Sequence, residues 1–410
     1  MLRSSVLAVA AGLAIAHDAA PASAADADPN APITVVVGPA LGFCPMARVD
    51  GQRRGTSPTP LPRRPRVLWR RNVRGGLDAV PIAVDARGAL VAASSHAPEL
   101  VQFSADGTEM WRRPTGQGPS LSGVVLLNDA TRMVVTGAGE AVGVSAAGGL
   151  RFRSTIDLLE RTSRVGLLPL EDGGVALGAG SEVVALDGEG RTRFRVRLPE
   201  RIQGPLLSTR AGLVTITQTG TVYVVQPGFA TRLGELGGDP GEGGASTPDG
   251  AQLFAAIEGQ RLAVFDLAKG AAQTRLAVAD RSLLGPIVFG RDGAIFATTV
   301  LGALFSLPQA GGSPGRIPLE PRAPLAVPDA GRPDLSLADD IPPPLPDASG
   351  YVAFARAGGR LGIVAPDGAV RLVDEPVCSS PVALVPAGPY RIAVGCRTGS
   401  VVMLGDGSGP

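Results

Sequence analysis

The chain is 410 residues long, with 44% hydrophobic and 18% charged residues and a formal net charge of +1. That length supports a large buried core, and that composition excludes global disorder. The near-zero charge excludes a general attraction to nucleic acid or anionic membranes, and with only 4% aromatics the core must come mainly from Val, Leu, Ala and Ile.

Residues 1–24 have the three parts of a secretory signal: Arg3, an apolar run from Val6 to Ala16, and the small-residue site Ala22-Ser23-Ala24. The run is too short to span a bilayer, and no later stretch reaches the ~18 apolar residues a membrane helix needs. The sequence therefore predicts a mature chain starting near Ala25, periplasmic or secreted, with no membrane span. Leu41-Gly42-Phe43-Cys44 faintly resembles a lipoprotein box, but Cys44 lies far beyond the apolar run and Phe43 stands where a small residue is needed. No lipid anchor is expected.

Residues 25–64 carry no repeat and read as a Pro/Arg-rich extended arm, with Pro58, Pro60 and Pro62 followed by Pro65. Nine arginines lie between Arg48 and Arg74 (48, 53, 54, 63, 64, 66, 70, 71, 74), with Asp50 as the one nearby acid. Such a run reads first as a solvated linker, or else as a polybasic contact with an acidic partner or surface.

From residue 79 a period appears. Each unit holds a short apolar strand, a turn, a β-rich strand, a turn, a third strand and an Arg-bearing fourth strand. Unit one contains Val80-Pro81-Ile82-Ala83-Val84, Ala89-Leu90-Val91-Ala92-Ala93, Glu99 to Phe103 and Glu109 to Arg112, and the stretch from Gly166 to Val196 repeats the pattern. The fourth-strand anchors Trp69, Trp111, Phe152, Phe194, Leu233, Leu276, Ile317 and Leu372 are 42, 41, 42, 39, 43, 41 and 55 residues apart. The long interval holds a Pro- and Asp-rich insertion, residues 322–344. Four-stranded repeats of about 40–45 residues predict an all-β propeller rather than a helical solenoid.

First strands count eight units. The last, containing Pro381 to Val385, Tyr390 to Val394 and Val401 to Leu404, has no fourth strand. The orphan strand from Val67 to Val73, with Trp69 as its anchor, supplies it. The expected fold is an eight-bladed propeller over residues 65–410, of four-stranded antiparallel blades, closed by the N-terminal strand.

The Asp-Gly pairs at Asp106, Asp172, Asp187, Asp249, Asp292 and Asp367 fall between strands, where turns need these residues, and read as turns rather than metal ligands. Arg191, Arg193, Arg195 and Arg197 alternate with Thr192, Phe194, Val196 and Leu198, which reads as a half-solvated rim strand and not a nucleic-acid stripe. Cys378 precedes the first strand of the last unit and Cys396 ends its second. Antiparallel pairing brings those ends together, so a disulfide is expected, leaving Cys44 free or available to a second chain.

The repeats resemble those of the PQQ-like β-propeller family. The resemblance rests on Pro81, Pro205, Pro286 and Pro381 near the first strands, on Gly220, Gly302, Gly359 and Gly399 before third strands, and on the Asp-Gly-x-x-x-Trp ending from Asp106 to Trp111. It covers residues 65 to 408. Some members are quinoprotein dehydrogenases that use adjacent cysteines and a stacking Trp. Here no two cysteines are adjacent and both tryptophans sit on outer strands, so neither that cofactor nor any other is implied. His96, the one histidine beyond the leader, falls in a loop of the first unit and builds no His-based metal site.

The resemblance implies a non-enzymatic, monomeric scaffold that binds a protein partner in the cell envelope, by analogy with the eight-bladed scaffold lipoprotein of outer-membrane protein assembly. The candidate binding loop is the insertion, with Asp329, Asp334, Asp339 and Asp340. The alternative is an enzyme or small-ligand binder using the central channel, quinoprotein-like or a carboxylate-based hydrolase.

Overall fold

The computed structural model describes residues 44, 46, 49, 50, 52–77, 82–158, 160, 166–241, 243–277, 286–290, 292–299, 303–308, 315–318, 342–355, 359–378 and 380–406. Among them there is no helix. Thirty-two strands form eight four-stranded antiparallel sheets. Blades 1 to 7 span Ile82–Pro114, Val125–Thr155, Leu167–Arg197, Leu207–Glu235, Gly244–Ala277, Val288–Pro318 and Leu345–Leu372. Blade 8 combines Pro381–Pro386, Arg391–Cys396 and Ser400–Asp406 with the closing strand Pro65–Asn72.

The closing strand runs antiparallel to Ser400–Asp406, from Pro65 opposite Asp406 to Asn72 opposite Ser400. The first strand of blade 8 then packs beside the first strand of blade 1, so the ring closes as the sequence predicts. The register slips at Leu68. This bulge re-aims the strand and turns the Trp69 ring toward blade 1. Trp69 is 8% exposed, packs 6.2 Å from Phe103, and donates its indole N–H to the Ala105 carbonyl at 3.1 Å. Gly107 lies beneath the ring with φ +87°, and a Cβ there would sit 2.7 Å from the indole. Arg70 and Arg71 face solvent, and Arg71 reaches the Gly107 carbonyl at 2.5 Å.

The same device repeats one blade on. Trp111 follows a bulge at Met110, donates to Ala146 O at 2.9 Å and covers Gly148. Trp69 and Trp111 are thus pegs, each seated on the next blade's outer turn.

The Asp-Gly turns behave as expected. Asp106, Asp172, Asp249, Asp292 and Asp367 each accept the backbone N–H two residues on, and the following Gly has positive φ. At Asp187 the left-handed residue is Gly190 rather than Gly188. These carboxylates cap their own turns, and those of Asp172 and Asp187 also pair with rim arginines.

Rim arginines pair with local acids. Glu99–Arg112 and Glu182–Arg195 join third to fourth strands in blades 1 and 3, Arg193 pairs with Asp172, and Arg191 with Asp187 and Glu189. The alternation in Thr192–Arg197 is imperfect because a bulge at Arg193 draws that side chain inward.

Cys378 and Cys396 are joined, with Cα atoms 6.1 Å apart, across the first hairpin of blade 8. Cys44 is free and fully buried, which pushes its thiol up to about 12.

Three stability outcomes follow for equilibrium denaturation. Trp69→Ala should cost about 3–5 kcal/mol, the usual loss for a buried large aromatic, and deletion of residues 65–72 should remove the single cooperative transition; a parent-like melt for the truncation refutes ring closure through this strand. Replacing both Cys378 and Cys396 by Ser should cost about 3 kcal/mol, the loop-entropy value for a bridge of 18-residue separation.

Candidate functional site

The innermost strands of a propeller face one another across the axis, each with one edge left without a neighbouring strand. Cys44, Met46, Val49, Asp50 and residues 52–60 occupy that space. Their polar groups meet the ring blade by blade.

Cys44 exchanges backbone hydrogen bonds with Val84 of blade 1 at 3.0 and 2.7 Å. The Gln52 carbonyl accepts from Ser246 N–H of blade 5 at 2.9 Å, and the Arg54 carbonyl from Phe289 N–H of blade 6 at 2.7 Å. Ser57 N–H donates to Pro346 O of blade 7 at 2.7 Å, and the Pro60 carbonyl accepts from Tyr390 N–H of blade 8 at 2.7 Å. Side chains reach the others. The Arg53 guanidinium, 0% exposed, donates to Leu167 O of blade 3 at 2.9 Å and to Leu206 O beside blade 4 at 3.4 Å. Gln52 Nε2 donates to Thr247 O and Pro248 O at 2.6 and 3.2 Å.

The segment also joins separate parts of the core. Cys44, Val49 and Leu61 pack into the cluster of blades 7, 8 and 1, while Met46 packs with blades 2 to 4. Beside Val49 and Gly55 remains a cavity of about 10 Å³, lined also by Leu345, Ala383 and Leu384. That is room for about one water.

Two tight turns shape the segment. Val49 N–H bonds to Met46 O at 3.1 Å and Arg53 N–H to Asp50 O at 2.9 Å, with Val49 and Arg53 themselves at positive φ, 72° and 58°. A β-branched residue there is strained, and the surrounding ring holds it. The Asp50 carboxylate accepts from Arg54 N–H at 3.1 Å and pairs with Arg54 Nε at 2.7 Å. Burial raises the pKa of Asp50 above its ordinary value and outweighs the pull of Arg54 and Arg53 in the other direction.

The basic run is therefore not a solvated linker throughout. Arg53 is inside the ring, Arg54 is half-buried, and the exposed members begin at Arg63, which stacks 4.2 Å over the Tyr351 ring. Sequence reading missed Asp50, Gln52, Arg53 and Arg54 as structural ligands of the axis. The signal that could have found them is the apolar trio Cys44, Met46 and Val49, too hydrophobic for a solvated arm.

Other candidates separate from the axis. His96 lies exposed in the loop between the second and third strands of blade 1. The insertion, with Asp329, Asp334, Asp339 and Asp340, lies outside the described residues over 322–341. Glu200 accepts from the hydroxyls of Thr217, Thr219 and Thr221, which hold its pKa below the usual range. No group of three or more His, Cys, Asp or Glu residues among the described ones is placed to hold a metal, and no helix is long and apolar enough to cross a membrane.

No protein-family model matches the chain, and no curated protein matches it in sequence. Solved structures do match. BamB from Moraxella catarrhalis superposes with a TM-score of 0.59 at 14% identity, over 84% of this chain and 99% of that one. The shared fold is that of an eight-bladed all-β propeller. The computationally designed Ika8 protein matches this propeller equally well, TM-score 0.59 at 14% identity over 82% and 98% of the two chains. A virginiamycin B lyase from Staphylococcus aureus with quinupristin reaches 0.49 at 12% identity, over 82% and 98%, which is too distant to bear on the propeller's chemistry. At these identities the likeness is one of fold.

The raised Asp50 pKa makes a pH prediction. A buried acid that holds its proton more tightly when folded stabilises below the ordinary value of 3.8, and that contribution is lost as pH rises through the folded value. Measured by thermal melts across pH, Asp50→Asn should therefore gain melting temperature relative to the parent as pH climbs from ~3 to ~7. The opposite trend would mean that the Arg54 ion pair dominates burial.

Proposed function

We propose that this chain is a non-enzymatic propeller, exported to the cell envelope, that works as a protein-interaction scaffold. One observation carries the reading. At the axis, where a propeller ordinarily offers a concave ligand pocket, the described residues Cys44, Gln52, Arg53, Arg54 and Ser57 bond to the ring, and the cavity beside Val49 and Gly55 holds about one water. A channel enzyme would need that volume. Recognition is left to surfaces, and the richest one is the face carrying the loops between second and third strands and the connections between blades.

That face is held rigid. In five blades the residue after the fourth strand donates its N–H to a carbonyl of the second-to-third-strand loop: Val73 to Gly399, Thr115 to Pro98, Ile156 to Gly139, Leu198 to Ser181 and Leu236 to Gly220; in blade 7 Val377, further along the connection, donates to Gly359. Gly220, Gly359 and Gly399 sit so close to the neighbouring connection that a Cβ would lie 2.3, 1.3 and 2.2 Å from a carbonyl oxygen. Loops fixed to a rigid frame are well suited to shape-based recognition. The insertion, with Asp329, Asp334, Asp339 and Asp340 outside the described residues, is the candidate acidic contact in this reading. The Cys378–Cys396 bridge suits an oxidising compartment.

The test is crosslinking of the tagged full chain in an envelope fraction, beside variants with Asn at all four insertion aspartates or with residues 322–341 replaced by a short Gly/Ser linker. A discrete protein adduct, lost in both variants, is expected, together with a mature N-terminus near Ala25 by mass spectrometry. Equal labelling in all three would remove the insertion from the interface. Absence of any discrete adduct, or recovery in the cytosolic fraction with an uncleaved N-terminus, would overturn the reading.

A further inference from the structure

The axial segment has the chemistry of a bound peptide. A covalent core element of a β-fold is ordinarily apolar, yet Asp50, Gln52, Arg53 and Ser57 are all buried here. Their partners in the ring are main-chain groups. Backbone atoms of residues 52, 54 and 57 pair with blades 5, 6 and 7 in turn, as an added strand pairs with an exposed edge, while Arg53 fans out to the carbonyls of Leu167 and Leu206. The Thr56 hydroxyl adds a bond to the Phe289 carbonyl. Main-chain pairing for affinity plus one deeply buried side chain for selectivity is the pattern of peptide recognition.

We infer that the axis of this ring is a peptide-binding site for an extended arginine-bearing segment, taken in cis by residues 49, 50 and 52–57 of the same chain. The ring supplies inward carbonyl oxygens from blades 3, 4 and 5, which a guanidinium or amide donor satisfies and a hydrocarbon does not. It also supplies the N–H groups of Ser246 and Phe289, which require peptide carbonyls. The ligand's own acid matters too. Asp50 folds back on Arg54 and stands close enough to Arg53 to interact with its charge, so it offsets part of the segment's positive charge. A competing ligand would be a short peptide with Arg at the position of Arg53, a carboxylate three residues before it, and small polar residues after it. This site concerns the axis, so it stands or falls separately from the scaffold reading of the loop face.

Pro58 is exposed where the segment leaves the axis, so the tether can be cut after folding. A protease site replacing Pro58 is introduced into the full chain, and the folded, nicked protein is titrated with a fluorescent synthetic peptide of residues 44–57 read by anisotropy. The nicked ring should keep its melting transition, and the peptide should exchange in saturably. The same peptide with Arg53→Ala should bind at least about tenfold more weakly, because two hydrogen bonds from a charged donor are lost, and Arg53→Lys should fall between. Equal binding of the Arg53→Ala peptide, or absence of any exchange, overturns the proposal.

Hydrogen exchange on the full chain covers the case where nicking destabilises the ring. Arg53→Ala should raise exchange at the Ser246 and Phe289 amides while leaving the outer strands protected. If that variant fails to fold, or loses protection uniformly, the segment is a structural strut and not a ligand.

Discussion

The antiparallel pairing of Pro65–Asn72 with Ser400–Asp406 is the seam on which the ring depends. Without it, blade 8 would end in an open edge and blade 1 would lose the neighbour that covers its inner strand. The seam does more than pair backbone. It aims Trp69 into blade 1, and the buried cluster that includes Trp69 runs through blades 7, 8 and 1 without a break. Where a solenoid needs polar caps at both ends, a ring with one composite blade needs none.

Closing a ring creates a second demand. Eight inner edges converge on an axis where their free N–H and C=O groups must be met by water or by something else. In this chain the residues immediately before the seam do it. The segment passes blades 5, 6, 7 and 8 in succession and then becomes the outer strand of blade 8. One continuous piece of chain therefore fills the centre and fastens the rim. The polar economy differs between the two places: the rim pairs Arg with Glu across adjacent strands, half in water, whereas the axis buries its arginine against carbonyl oxygens.

Most of the ring was legible because its causes are local and periodic. Strand alternation, Asp-Gly turns, the spacing of Trp69, Trp111 and Phe152, and the missing fourth strand near Asp406 are all readable along the line of the sequence. The disulfide was readable from hairpin logic alone. The axial segment was not, because Arg53 is satisfied by Leu167 and Leu206, more than a hundred residues away and in two different blades. No linear pattern encodes such partners, and prolines at 58, 60 and 62 pointed to a linker. The bulges were hidden for a related reason: Leu68, Met110 and Arg193 look like ordinary strand positions, and only the register shows that each is an extra residue.

The seam joins parts of the chain that are almost as far apart as the chain allows. Arg64 N–H bonds to Asp406, 342 residues along. Bringing such ends together costs about 5 kcal/mol of chain entropy before any pairing rewards it. Synthesis makes the closing strand and the axial segment first, and their partner in blade 8 last. For most of the time the ribosome is working, the strand that will finish the molecule therefore has no mate, and its edge is open to any other β-strand that comes by. The charges that line this strand, Arg66, Arg70 and Arg71, are the feature that keeps such an edge from pairing with the wrong partner while it waits.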